Sequence, residues 1–274
     1  LVRKFWMYGV TGSPIYNADM SYWTSATVLD GWTVNLSTLN RRQTAINKWL
    51  SQQSAELSAA SGELTLDAVW ARYLASLEGT SVRLHAWMRA TAAGANRAAL
   101  LEDATAQSNT ESHEGDSDWH LVSAASFRSI ATGESDISVR FERASGTTQC
   151  GFIWLETNGD VPDLHPFPIA LIPNGPDAIL LSDMNLQPDD NMASVFPKGA
   201  RRFTDWDWVK YHDEASDVNM GAIQYLRRPP AGKLMWLQCS GPLTLPTTDT
   251  GVIEVNEVES LLIAKSAAII LLER

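Results

Sequence analysis

The chain has 274 residues, 45% of them apolar and 19% charged, with a formal net charge of −11. That composition is globular rather than disordered, and its acidity excludes a grip on nucleic acid through a broad basic surface, leaving local contacts at most. Two cysteines, Cys150 and Cys239, imply neither a disulfide framework nor a thiolate metal site, and no apolar run reaches membrane-spanning length, so no membrane partner is expected.

Arg3 to Val10 is an aromatic, strand-like run that stops at the turn cluster Thr11-Gly12-Ser13-Pro14. It is too short to stand alone and must pair with something later. From Asn17 to Leu155 short strands are predicted at Thr33–Leu36, Ser54–Leu57, Glu63–Leu66, Val82–Met88, Ala98–Glu102, Trp119–Ala124, Ile137–Glu142 and Gly151–Leu155. Strands at this spacing, without long amphipathic helices between them, indicate a β-sandwich or barrel. In Val82–Met88 the period of two puts Val82, Leu84, Ala86 and Met88 on one face and Arg83, His85 and Trp87 on the other, predicting one face in a core. Asp67–Leu77 reads either as a short helix or as a loop and strand.

Six prolines between Pro162 and Pro188 read as an extended connector with one short strand at Ala178–Leu181. Beyond it, Trp206–Tyr211, Ala222–Leu226 and Leu234–Gln238 are predicted antiparallel strands. Pro229-Pro230-Ala231-Gly232 turns between the last two. Asn256 then caps a predicted helix, Val258–Leu272, with Leu261, Leu262, Ile269 and Leu272 among its apolar positions. The chain starts inside a strand-like run and stops inside a helical pattern, as a piece of a longer protein would.

Little of the sequence points to catalysis. The loop His113-Glu114-Gly115-Asp116-Ser117-Asp118 alternates oxygen ligands as a hard cation wants, yet lacks the longer EF-hand pattern and reads first as a solvated turn. The five histidines sit on separate segments without metal-site spacing, and no nucleophile elbow or phosphate-binding glycine loop is present. The expectation is a chain with no turnover, no cofactor and no metal. Trp32, Trp49, Trp70 and Trp87 are candidate sugar-stacking platforms, weighed against core filling or subunit contact.

Two resemblances organise these pieces. Asn17-Ala18-Asp19-Met20, Gly31-Trp32-Thr33-Val34, Ser54–Leu57, Val82–Arg89, Gly115-Asp116 to Trp119 and Gly151–Leu155 follow the order seen in jelly-roll carbohydrate-binding modules of glycanases and related phage virion domains. Where that family carries an aspartate in its closing strand this chain has Ile153-Trp154, so the resemblance implies the fold and no binding residue. Ile223–Pro230, Leu234–Gln238, Gly241-Pro242-Leu243, Thr247–Val255 and the last helix resemble head–tail connector (adaptor or neck) proteins of tailed bacteriophages.

The expected architecture is therefore mainly β. A jelly-roll sandwich (17–157) is inserted in a smaller strand-plus-helix connector-like domain, formed by a first strand (1–16) and a last part (189–274), with 158–188 as proline-rich connector. The resemblance implies a structural virion protein in a ring with its own copies between portal and tail. Trp206, Trp208, Tyr211, Leu261, Leu262, Ile269 and Leu272 are the candidate interface residues, and Arg3–Val10 should pair with the last third. The rival readings are a carbohydrate- or receptor-binding module of a fibre or exported protein, and a glycan-degrading enzyme working through Asp205 or Asp207.

Overall fold

A computed structural model describes residues 2–42, 53–133, 136–158, 164–170, 172–183, 199–214 and 217–242. The chain is mainly β. One sheet of the large sandwich runs Trp119–Ser123, Ser81–Ala90, Thr148–Thr157, Ser54–Ser58, Thr38–Arg42, with the short Arg128–Ser129 strand also on Ser81–Ala90. The facing five-stranded sheet runs Thr105–Asn109, Arg97–Glu102, Ile137–Arg143, Gly62–Leu66, Trp32–Asn35. All these pairings are antiparallel, and the chain crosses repeatedly from one sheet to the other, in the jelly-roll manner.

Alternation builds the core. In Ile137–Arg143, Ile137, Val139 and Phe141 are buried, while Ser138, Arg140 and Glu142 face outward. The outward side carries an ion ladder from Arg97 through Glu142 and Arg140 to Glu63. Leu84, Leu100, Phe141 and Phe152 are almost wholly removed from water, each contributing about 1.5–3 kcal/mol of transfer free energy. The ambiguous stretch resolves as a single helical turn, Ala68–Ala71, running into a 3-10 helix, Arg72–Leu77, whose Trp70, Leu74 and Leu77 close one side of the sandwich.

Four further strands form a second sheet system around Arg3–Val10. Its order is Val2–Val10, Leu234–Pro242, Pro176–Ser182, Arg201–Phe203. The pairing expected for Arg3–Val10 is present, in a register running from Arg3 opposite Gly241 to Val10 opposite Leu234. A three-stranded sheet, Leu164–Pro168, Val218–Tyr225, Trp206–Asp213, packs on it over Met7, Phe167, Ile179, Ile223, Met235 and Leu237.

The proline-rich stretch is thus more than a connector, since it supplies strands to both small sheets. Among the described residues Leu164–Pro168 pairs on one side only, and an edge strand tolerates residues that donate no hydrogen bond. The helix expected at Val258–Leu272 lies outside the described residues. Among those described, no helix is long and apolar enough to cross a membrane.

The two units are tied together. Tyr73 Oη on the 3-10 helix lies 2.9 Å from Tyr211 Oη, and Arg72 pairs with Asp213. Leu180, Met220, Leu234 and Trp236 of the small unit belong to the same apolar cluster as the jelly-roll core.

Candidate functional site on the outer face of the six-stranded sheet

Ser81–Ala90 departs from the simple alternation read in its sequence, because His85 and Trp87 are buried as well as Leu84, Ala86 and Met88. The inner set faces the five-stranded sheet across the core. The outer set belongs to a second row of buried side chains, assembled with help from the neighbouring strand. In Thr148–Thr157 the register shifts between Cys150 and Phe152. A bulge resets the pleat, so Phe152 pairs with Trp87 and Trp154 with His85 on the outer face, while Ile153 and Leu155 return to the core beside Ala86 and Leu84.

The result is a continuous aromatic strip. The Trp87 and Trp119 rings are nearly parallel, 8° apart in plane with centroids 6.2 Å apart. Phe152 and Trp154 follow at 5.1 Å, and the His85 ring lies flat on Trp154 at 5.0 Å. Burial holds the His85 pKa below its ordinary value, with Glu156 pulling the other way. The neutral ring donates from Nε2 to the Glu156 carboxylate at 3.0 Å and accepts at Nδ1 from the Ser123 hydroxyl at 2.8 Å.

Polar groups flank the strip. The buried Glu56 carboxylate accepts from Arg42 Nη2 at 2.6 Å and from Gln149 Nε2 at 2.7 Å. Among the described residues that leaves Gln149 Oε1 buried without a hydrogen-bond donor, and Ser54 Oγ in the same state two residues before Glu56. Such orphaned atoms cost about 1–3 kcal/mol each. Arg83 and Arg89, which border the strip, are committed to the main-chain carbonyls of Ala124 and Ser117 at 2.7 and 2.5 Å. No free cation from those two faces the strip.

The sugar-stacking candidates are corrected by their burial. Trp32 is 4% exposed and its indole N–H donates to the Tyr16 carbonyl at 3.2 Å. Trp70 is 8% exposed and stacks on Tyr16 with ring centroids 3.7 Å apart. Trp87 is 5% exposed within the strip, so none of the three stands free as a platform. Trp49 lies outside the described residues.

The interface candidates that are described also turn inward. The Trp206 indole donates to the Phe203 carbonyl, Trp208 lies over Gly175 and Gly221, and Tyr211 meets Tyr73. They are only part-buried, but their rings pack within the chain instead of forming a free patch. Leu261, Leu262, Ile269 and Leu272 lie outside the described residues. Asp207 is exposed, and Asp205 uses its carbonyl to hold the Leu226 and Arg227 amides.

Sequence reading missed Trp119, Phe152, Trp154, Glu56 and Gln149 as one group. Period-two counting from Trp87 reaches Trp119 once the pairing is known, but the bulge at Gly151 inverts the parity of Phe152 and Trp154. The structure also gathers His113, Asp116 and His120, which the spacing had separated.

No family model and no curated protein matches this chain. Solved structures do, at low identity and over part of the chain. An arabinose-bound α-L-arabinofuranosidase (MgGH51) matches at 13% identity and a TM-score of 0.39, over 54% of this chain and 27% of that one. The enzymatically active domain of bacteriophage CBA120 tailspike protein 4 matches at 12% and 0.39, over 53% and 21%. The CBM22-1 and GH10 modules of Clostridium thermocellum xylanase 10B, complexed with xylohexaose, match at 11% and 0.35, over 51% and 28%. The chain therefore spans about a quarter of the length of these structures. The expectation of a chain without turnover is corrected by this finding, because glycoside hydrolases and an active tailspike domain stand among the matches. At such scores they assign this chain neither a reaction nor a ligand.

Proposed function

We propose that the jelly roll is a carbohydrate-binding module whose ligand face is the outer side of the six-stranded sheet. One observation carries the reading: Trp119, only part-buried where Trp87, Phe152 and Trp154 are covered, stacks over Trp87 on the same sheet face as the Glu56–Gln149 pair, whose Gln149 Oε1 has no hydrogen-bond partner among the described residues. Aromatic faces match the apolar faces of pyranose rings, and a carboxylate–amide pair meets their hydroxyls. With Arg83 and Arg89 committed to carbonyls and Arg42 to Glu56, a neutral glycan suits the face better than an acidic one.

The test is affinity electrophoresis in soluble neutral polysaccharides, including xylans and bacterial exopolysaccharides, backed by a glycan array. Retardation by at least one of them is expected, and Trp119→Ala and Gln149→Ala should weaken it by about tenfold or more, the loss of one or two good contacts. Absence of retardation with every glycan, or variants that bind like the parent, would refute the proposal.

A second reading, a neck protein of a tailed bacteriophage virion that rings with its copies between portal and tail, draws support from the pairing of Val2–Val10 with Leu234–Pro242. That pairing makes the jelly roll an insertion between two halves of the small unit. Light scattering of the purified protein with and without portal tests it. A strict monomer that ignores the portal counts against the neck role and leaves glycan binding untouched.

A further inference from the structure

The turn between Thr105–Asn109 and Trp119–Ser123 carries His113, Glu114 and Asp116, and His120 follows at the start of the strand. One ligand atom from each of His113, Asp116 and His120 lies within 4.8 Å of the others. His120 Nε2 is 2.8 Å from Asp116 Oδ2 and 3.4 Å from Glu114 Oε1, and the two imidazoles meet edge to face with centroids 4.9 Å apart.

Backbone contacts hold the turn in this shape. Gly115 has φ +87°, and a Cβ there would sit 2.1 Å from the Ala93 nitrogen, so only glycine lets the turn lie against the Ala92-Ala93 backbone. The Ser117 N–H donates to the Ala90 carbonyl and the His113 N–H to the Asn96 carbonyl, both at 2.9 Å. The side chains are thus brought together by the fold before any ion arrives.

We propose that this turn is a transition-metal site, with His113, Asp116 and His120 as ligands and Glu114 completing the shell. Two imidazoles and carboxylates suit Zn2+ and its neighbours, whereas Ca2+ takes roughly six to eight oxygens. His113 is arranged as a metal-binding histidine is. Its Nε2–H donates to the Asp118 carbonyl at 3.0 Å, fixing the tautomer that leaves the Nδ1 lone pair for the ion. That lone pair now accepts the Gly115 N–H at 2.9 Å, a contact exchanged for the metal on binding. At His120 the hydrogen bond to Asp116 opens to admit the ion, and Nε2 turns its lone pair to the metal with the ring proton on Nδ1.

Isothermal titration of chelator-treated protein with ZnCl2 tests the site. One Zn2+ per chain is expected, with affinity lowered more than about tenfold in His120→Ala and in Asp116→Asn. His212→Ala, a distant exposed histidine, should leave it unchanged. Circular dichroism checks that the variants are folded. Independently of any variant, electron paramagnetic resonance of the Cu2+-loaded parent should show coupling to two imidazole nitrogens. No binding with millimolar Zn2+, equal affinity in His120→Ala, or an oxygen-only copper spectrum would each overturn the proposal.

Discussion

At the scale of single residues, two buried ionisable groups oppose each other in pH. Asp19 is 1% exposed, and burial pushes its carboxyl pKa up to about 6 against the hydrogen bonds of Ser21 and its own N–H. The native state therefore binds more protons than the unfolded chain between about pH 4 and 6, so this group makes stability fall as pH rises through that window and level off above it. Asp19→Asn, which mimics the protonated acid, should gain up to about 3 kcal/mol over the parent at pH 7 in urea denaturation, and nothing near pH 3.5. His165 acts in the other direction. Burial lowers its pKa to about 4, so the unfolded chain takes up the proton first and stability falls as pH drops from about 6.5 towards 4. His165→Phe should remove that acid-side loss, seen as a denaturation midpoint that falls less than the parent's between pH 6.5 and 4.5. Equal pH slopes in parent and variant would show that the imidazole is not held neutral.

Among the elements, the three-stranded sheet depends on one close approach. Trp208 on Trp206–Asp213 lies flat on Gly221 of its neighbour, where an added Cβ would sit 1.8 Å from Trp208 Cζ2. Gly221→Ala should cost about 1–3 kcal/mol by overpacking, read as a lowered urea midpoint. Combining it with Trp208→Leu should cost less than the two changes added, because the smaller side chain vacates the contested space. An additive double variant would mean that the destabilisation arises elsewhere. The same element shows how far sequence reached. Trp206–Tyr211 was legible as a strand from its alternation. That its indoles serve the small unit's own core was not, because an apolar side chain at a strand position looks the same whether it meets its own chain or another.

Over the whole molecule, the jelly roll and the smaller unit share apolar contacts. Leu180, Met220, Leu234 and Trp236 extend the jelly-roll cluster, and Tyr211 and Asp213 reach the helical segment through Tyr73 and Arg72. Calorimetry should accordingly give one cooperative unfolding transition, and Tyr211→Phe should lower its midpoint slightly by removing about 1 kcal/mol of hydrogen bonding without splitting it. Two transitions in the parent would mean that the shared contacts are too weak to couple the units.

Sequence alone determined the mainly β class, most strand positions in the jelly roll and the need for Arg3–Val10 to find a distant partner. These follow from local alternation and turn chemistry, which are written along the chain. Tertiary structure alone decided which tryptophans were spent in the core, that a bulge at Gly151 turns Phe152 and Trp154 to join Trp87, and that Gln149 meets Glu56. It also brought His113, Asp116 and His120 together around one turn. Each of these depends on the register between strands and on a single inserted residue, and neither has a periodicity that a one-dimensional reading can count.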